Sequence, residues 1–325
     1  MNARMIVLLL FALSGFIGCT EQLPKSTPTQ PKESTDPTPD HVSDTEKGRR
    51  ASYEGDYKLA VKLFSKAADQ GHAEAQFSLG SCYHLGKGVP QDSKKATEWF
   101  QMAAEQGNAN ALLSLGLMHE GGEGIPQDYP KAFEWYTKAA SQGIARAQLN
   151  LGLMYEYAKG IPQDYQKAFE WYTKAASQGN AKAQFCLGML YELGNGVAQD
   201  RKKAFMLISK AAEKGNYLAQ REMGAFYISG HGVPQDYKQA AMWLKKSSEQ
   251  GHAVAQNDLA AMYYNSEGVP KDFVTAYAWA NLAAANGLSF NHRDKISHAL
   301  TPDQIAEGQK LSREMVKANP KLLGN

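Results

Sequence analysis

Apolar positions recur along this chain with the spacing of amphipathic helices. Ala75, Leu79 and Tyr83 follow one another at intervals of four residues, and Gly80 stands next to Leu79. At about 100° per residue, positions spaced in this way share one side of a helix. The pattern predicts a helix over roughly residues 74–85, which we name helix A.

A second apolar stripe follows after a break. Gly86 and Gly88 permit positive φ angles and Pro90 cannot continue a helix, so the first helix must end here. Asp92 then stands at an N-cap position, where its carboxylate can accept a hydrogen bond from an exposed backbone N–H. Five apolar residues after it have helical spacing and predict a second helix, helix B: Ala96, Trp99, Phe100, Ala103 and Ala104.

This helix–turn–helix pattern repeats every 36 residues without insertion. Residues 124–144 and 160–180 differ at only two positions. Such self-similarity is typical of stacked units that bury a shared core, because one unit cannot cover its apolar face alone. Residues 45–72 and 289–325 carry incomplete versions, and we predict an N-terminal half-repeat cap and C-terminal capping helices. The six copies are 73–108, 109–144, 145–180, 181–216, 217–252 and 253–288.

The repeat reads A-x-A-Q-x-x-L-G-x-x-Y-x-x-G-x-G-V-P-Q-D-x-x-K-A-x-x-W-x-x-K-A-A-x-Q-G and resembles the Sel1-like repeat family. The resemblance implies an all-α fold: an α/α solenoid of 36-residue Sel1-like helix-turn-helix repeats that curves into a right-handed superhelix. It also implies a relation to tetratricopeptide arrays. The usual role in the family is a scaffold for protein partners.

The N-terminus predicts export and lipid attachment. Arg4 precedes an apolar run that is too short to span a bilayer and fits the signal peptide that we assign to residues 1–18. The following Phe-Ile-Gly-Cys sequence resembles a bacterial lipobox, in which Cys19 becomes the lipidated first residue. The residue after Cys19 is Thr20. In lipoproteins that this sequence resembles, an aspartate there favours retention in the inner membrane, so Thr20 favours the outer membrane. An ordinary secretory signal with a chance cysteine is the alternative.

Residues 19–44 are rich in proline and threonine and almost free of apolar side chains. Such a segment cannot bury enough surface to offset the entropy lost on ordering, so we predict a disordered tether. Together with Cys19, it predicts a protein anchored by lipid in the bacterial outer membrane and facing the periplasm. A surface-exposed orientation stays open.

The sequence contains no recognisable catalytic, cofactor or metal motif. Its 35 Lys and Arg residues against 33 Asp and Glu residues give no basic footprint for nucleic acid. The histidines and cysteines lack metal-ligand spacing, and neither a serine nucleophile motif nor a phosphate loop is present. Cys82 and Cys186 are almost three copies apart, too far for a disulfide. His72 and His252 each follow a helix-ending glycine, and we predict solvated turn residues.

The partner-binding prediction rests on the side of helix A opposite its recurring residues. That stripe changes strongly from copy to copy, as expected for recognition and not for core packing. Helix A lines the concave side in related arrays, which would place the stripe in one groove. Packing of Leu153 and Met189 on a neighbouring helix A is an equal alternative for those two. The candidate residues are Arg146, Asn150, Leu153, Tyr157, Lys182 and Met189.

Glu120, Glu156 and Glu192 form a carboxylate row at the repeat spacing, next to this stripe. The row could bind a cation or a basic partner, although a solvated stripe is the simpler interpretation. The sequence thus predicts a non-enzymatic scaffold that binds a protein of unknown identity. Two alternatives are a surface lipoprotein that engages a host protein and, by analogy with cysteine-rich relatives, a β-lactam or cell-wall hydrolase. The cysteine pairs of those relatives are missing here.

The lipid anchor can be tested at the cysteine itself. Cys19→Ser should move the protein from the detergent-extracted membrane fraction to a soluble or unprocessed form, because the acyl acceptor is removed. Fractionation and mass spectrometry of the N-terminal peptide check this. A wild-type Cys19 that carries no acyl mass would disprove the anchor.

Overall fold

The structure, a computed structural model, describes residues 40–289 and 292–324, with side chains from residue 44. The predicted signal peptide, the lipidated Cys19 and the tether up to residue 39 lie outside the described residues. The described chain divides into two compact units, with the boundary between Asp164 and Tyr165. We describe each unit by itself.

Helices follow one another through both units, and the described ranges contain no strand. Each of the six 36-residue windows holds two helices joined by a short turn, so the predicted all-α class, an α/α solenoid of helical hairpins, is confirmed. The α-helices are α1 Asp40–Glu54, α2 Tyr57–Asp69, α3 Ala73–Leu85, α4 Ser93–Glu105, α5 Ala109–Gly121, α6 Tyr129–Ser141, α7 Ala145–Glu156, α8 Tyr165–Ser177, α9 Ala181–Leu193, α10 Arg201–Glu213, α11 Tyr217–Ser229, α12 Tyr237–Ser248, α13 Ala253–Asn265, α14 Phe273–Ala285, α15 Arg293–Ser297 and α16 Pro302–Ala318, followed by a 3-10 turn, Pro320–Leu323.

The turn residues end one helix and begin the next as the sequence predicts. Gly86, at φ 66°, closes α3 in the left-handed region, which a residue with a Cβ adopts only at a cost. Asp92 accepts a hydrogen bond from the Lys95 N–H at 3.0 Å and so caps α4. Asp128 and Asp200 do the same for α6 and α10.

A glycine on helix A lets the two helices of a hairpin approach each other closely. A Cβ built at Gly80 would lie 2.8 Å from the ring of Phe100, which is fully buried. At Gly116 it would meet the ring of Tyr136 even more closely. A glycine is therefore required wherever a large side chain of helix B packs on the backbone of helix A.

The same contact shows that the N-terminal cap is a complete hairpin and not a half-repeat. Gly48 of α1 faces Phe64 of α2, with a built Cβ 2.6 Å from the ring. Residues 48 and 64 are 16 positions apart, whereas 80 and 100 are 20 apart, so the turn is four residues shorter. The residues of α1 are therefore shifted by four positions relative to the 36-residue repeat. Because α1 begins at Asp40, the last five residues of the predicted tether are helical.

Helix A is buried over more of its circumference than its recurring residues indicate. Met118 of α5 and Leu190 of α9 are buried, although the predicted buried side did not include their position. The reason is that a helix A packs on two B helices: α5, for example, packs against α4 of the preceding hairpin and against α6 of its own. One apolar side therefore does not suffice.

The recurring glutamine of helix A ties consecutive hairpins together. Gln76 is buried and donates a hydrogen bond to the Ala68 carbonyl at the end of α2, at 3.3 Å. Gln220 does the same for the Ala212 carbonyl of α10, at 3.1 Å. Each carbonyl also accepts a backbone N–H of the following turn, so the glutamine adds a second hydrogen bond that joins one hairpin to the next.

The C-terminal cap covers the last hairpin of the second unit. Ile305 and Met315 of α16 pack on the core around α13 and α14, as the predicted capping helices require. The sequence did not predict the role of Leu322, which is buried in the same core. Its carbonyl accepts hydrogen bonds from Gln256 at 2.8 Å and from Asn286 at 2.7 Å, so the turn Pro320–Leu323 completes the glutamine contacts at this end.

Two glycines of the same helix test the close approach of helices A and B. Gly116→Ala should destabilise the first unit by about 1–3 kcal/mol, because the new methyl group overlaps the Tyr136 ring. Gly121→Ala is the matched control, since a Cβ there meets no atom closer than 3.5 Å. It should be neutral or slightly stabilising through helix propensity. Urea unfolding followed by circular dichroism measures both, and equal effects would contradict the interpretation.

Candidate functional site

The predicted recognition stripe of the first unit is open only in part. Arg146 and Leu153 of α7 are half-buried, and Tyr157, just after α7, is exposed. Asn150 is buried, and its side chain hydrogen-bonds the hydroxyl of Tyr136. The expectation that Asn150 lies on an open surface is therefore wrong, because the buried side of helix A extends to this position.

Glu120 has a structural role that the repeat pattern did not reveal. Tyr136 is fully buried and its hydroxyl donates a hydrogen bond to Glu120 Oε2 at 2.7 Å. Burial and the Glu120 carboxylate raise the pKa of Tyr136 well above its usual value, so the phenol stays protonated. Lys159 Nζ lies 2.7 Å from Glu120 Oε1. Glu120 thus serves a buried hydroxyl, whereas Glu156 is half-buried at the same position of α7.

Glu192 of the second unit lies at the same repeat position, but its surroundings differ. Ile208 takes the place that Tyr136 has in the earlier copy, and its side chain cannot donate a hydrogen bond. Within the described ranges, no group donates to Glu192 Oε2, which is itself buried. The other oxygen, Oε1, lies 3.5 Å from Nε of Arg201. Lys182 and Met189, the two other predicted residues of α9, are half-buried.

An ionic group that the sequence prediction missed lies on α11 and α13. Arg221 donates through Nε to Asp258 Oδ2 at 3.0 Å and through Nη1 to Glu222 Oε2 at 3.3 Å. The side chains of Arg221, Glu222 and Asp258 are only 19%, 15% and 27% exposed. With Glu192 they form what we name the Arg221 cluster.

The charges of the Arg221 cluster do not balance. Arg221 bridges Glu222 and Asp258, and Arg201 Nε lies 3.5 Å from Glu192, so three carboxylates face two guanidinium groups. Burial raises the pKa of Glu222, and the neighbouring Glu192 and Asp258 raise it further, against the opposing effect of Arg221. One signal could have located the cluster: Arg221 stands where other copies have Leu113, Leu149 and Phe185, all buried.

His252 lies beside this cluster, and the prediction of a solvated turn residue is wrong for it. The ring is half-buried, and burial, followed by the charge of Arg221, lowers its pKa to about 4. The Ser247 hydroxyl donates its proton to the Tyr217 carbonyl at 2.7 Å. Nδ1 of the neutral His252 therefore donates to the Ser247 oxygen, at 3.2 Å.

The remaining candidate groups are accounted for by packing. Cys82 and Cys186 are not joined in a disulfide, and burial raises the pKa of Cys82 to about 11, so its reactive thiolate form is scarce. Over residues 40–289 and 292–324, histidine, cysteine and carboxylate side chains do not gather in threes suited to a metal ion. None of the helices in these ranges has the length and apolarity needed to cross a bilayer.

The family comparison covers all the hairpins of both units. A family model described as "Sel1 repeat" matches seven segments: 46–72, 73–108, 109–144, 145–180, 181–216, 218–252 and 253–288. A crystal structure of a Sel1 repeat protein from Oxalobacter formigenes is similar over 74% of this chain and 96% of that chain, with 32% sequence identity and a TM-score of 0.70.

Among curated proteins, the chain is similar to the "DAP3-binding cell death enhancer 1" of Rattus norvegicus. The two are 47% identical over 38 residues, which is 12% of this chain. The matched stretch spans only 8% of the rat protein. The similarity is therefore one repeat long.

The lowered pKa of His252 predicts a loss of stability in acid. The fold favours the neutral ring, so its contribution is complete above pH 6.5 and is lost as the pH falls towards 4. The full loss is up to about 3 kcal/mol. His252→Asn should remove most of this dependence, because Asn180 and Asn216 cap helices at the same repeat position.

Urea unfolding at pH 7 and at pH 4.5 measures the effect, with the exposed His298→Asn as the matched control. Some acid sensitivity should remain, because burial also lowers the pKa of His292. An unchanged acid loss in His252→Asn would contradict the assignment.

Proposed function

The chain belongs to the Sel1 repeat family, and from this premise we propose that it is a non-enzymatic scaffold that binds a partner protein through its A helices. The Sel1 repeat fold is typical of protein–protein interaction. The observation that carries the proposal is a set of exposed apolar side chains at one position of the repeat, found in four of the seven hairpins; Gly121, Ser229 and Asn265 stand there in the other three. We name this set the edge row: Tyr53, Leu85, Tyr157 and Leu193.

The edge row occupies the C-terminal end of helix A in both units. Tyr53 is 71% exposed, Leu85 41% and Tyr157 54% in the first unit, and Leu193 is 42% exposed in the second. Tyr53 belongs to the row because it follows Gly48 by five residues, as Leu85 follows Gly80. Tyrosine is enriched among the residues that dominate binding, and two of the four members are tyrosines.

In each unit, the predicted stripe residues lie on the helix that carries an edge-row residue, and they vary in polarity. Arg146 and Lys182 stand at the N-terminal ends of α7 and α9, and Leu153 and Met189 are half-buried between the helix ends. A helix that presents both apolar and charged side chains to solvent is suited to a protein partner. Copy-to-copy variation is what recognition of one partner requires of a repeated framework.

The assignment as a non-enzyme is supported by what the buried polar groups already do. Glu120 holds the Tyr136 hydroxyl, and the Cys82 thiol is kept protonated. We further propose that Cys19 carries a lipid that anchors the protein in the bacterial outer membrane, facing the periplasm. The support is the order of charge, apolar run and Gly-Cys sequence at residues 4–19.

The edge row can be tested by capture of the partner. Tyr53→Ser, Leu85→Ser and Tyr157→Ser together should reduce the partner recovered from cross-linked membranes by about tenfold or more, since each replacement removes an apolar contact. The helical signal and thermal midpoint should not fall. Mass spectrometry against wild-type protein measures the recovery.

The matched control replaces three apolar side chains that are similarly exposed on B helices: Leu59, Met102 and Met206, each changed to serine. This control should leave recovery unchanged. Equal loss in both triple variants, or no loss in the first, would place the partner elsewhere.

A further inference from the structure

We propose that the Arg221 cluster of the second unit binds a cationic side chain, lysine or arginine, presented by an apolar segment of the partner. The inference rests on the proposed function for the existence of a partner. It goes beyond that function by naming the chemistry of the partner and the place where it binds.

The first argument is that the cluster replaces apolar packing. Leu113, Leu149 and Phe185 are buried at the position that Arg221 occupies on α11. Buried ion pairs carry a large desolvation cost, and replacing a whole buried network with apolar residues is often neutral or stabilising. Stability therefore does not account for an arginine here.

The second argument is that the cluster holds fewer cationic than anionic groups. Arg221 is shared between Glu222 and Asp258, and Arg201 Nε lies 3.5 Å from Glu192, so three carboxylates face two guanidinium groups. Glu192 is also close enough to raise the pKa of Glu222. Oε2 of Glu192 is a buried acceptor without a donor in the part of the chain that the structure describes. An acceptor left in this state costs free energy, which a bound N–H donor would recover.

The third argument is the surface around the carboxylates. Met189, Ala225 and Ala261 each lie three residues from Glu192, Glu222 or Asp258 along a helix, so each stands one turn away on the same side. All three are half-buried. Small and apolar side chains beside carboxylates suit the stem and head of lysine or arginine, which pack their methylenes on apolar surface and keep the charge at the tip.

A ligand of the cluster must therefore match two features: an excess of negative charge and the small or apolar side chains beside it. A divalent metal ion would neutralise the carboxylates but would gain nothing from the apolar side chains. An acidic or neutral segment could pack on the apolar side chains, but it would desolvate the carboxylates without supplying a positive charge, which costs free energy. A cationic side chain on an apolar segment satisfies both the carboxylates and the apolar residues beside them.

A selection with random twelve-residue peptides displayed on phage tests the proposal. The target is the mature chain with Cys19→Ser, and the counter-target carries Arg221→Leu, Glu222→Ser and Asp258→Ser. These replacements copy Leu113 and Ser114 of the second repeat, so the variant should fold and melt no lower than the target. Peptides enriched on the target alone should carry lysine or arginine between apolar residues.

An enriched peptide and its twin with citrulline in place of arginine are then compared by calorimetry. The citrulline twin should bind the target at least about tenfold more weakly and should show no such difference on the variant. A control protein with Glu213→Ser, Lys245→Ser and Glu249→Ser, which removes the same charges from exposed positions, should behave like the target.

Enrichment of neutral or acidic peptides, equal enrichment on both proteins, no enrichment, or displacement of the peptide by magnesium alone would overturn the proposal. These outcomes leave the edge row untouched. Conversely, failure of partner capture by the edge row would leave the cation preference of the cluster intact, so the two proposals fail separately.

Discussion

Close approach of helix A and helix B within a hairpin is the contact on which the rest of the structure depends. A glycine without a Cβ allows Phe64, Phe100 or Tyr136 to lie directly on the backbone of the facing helix. Helix A also packs against the preceding hairpin, as α5 does against α4, so little of its surface remains exposed. The edge row is exposed because the two sides of helix A that flank it are covered by B helices.

Much of this framework could be predicted from the sequence because it repeats. Spacing alone located every hairpin of the six copies, and Asp92 and Gly86 have the capping roles expected of them. The N-terminal hairpin was underestimated for a physical reason: its turn is four residues shorter, so Gly48 falls out of phase. Leu322 escaped prediction because its partners, Gln256 and Asn286, are distant in the chain.

The candidate sites were predicted less well, because a repeat pattern shows where a residue recurs and not what it touches. Glu120 and Glu192 occupy the same position, yet one serves a tyrosine hydroxyl and the other faces an isoleucine. Asn150 was assigned to an open side of a helix that is buried almost all round. Arg221 departs from the repeat, because other copies have a buried apolar residue at its position. That the position is buried became known only from the structure.

The glutamine contacts have a consequence for how such a chain can evolve. Gln76 and Gln220 reach only to the hairpin immediately before them, and the glycine contact stays inside its own hairpin. Residues 124–144 and 160–180 are almost identical, so unequal recombination between their coding sequences would add or remove 36 residues in register. Each contact of these two kinds would be re-formed with the same residue types. Binding surface could thus be lengthened or shortened by whole helices in a single genetic event.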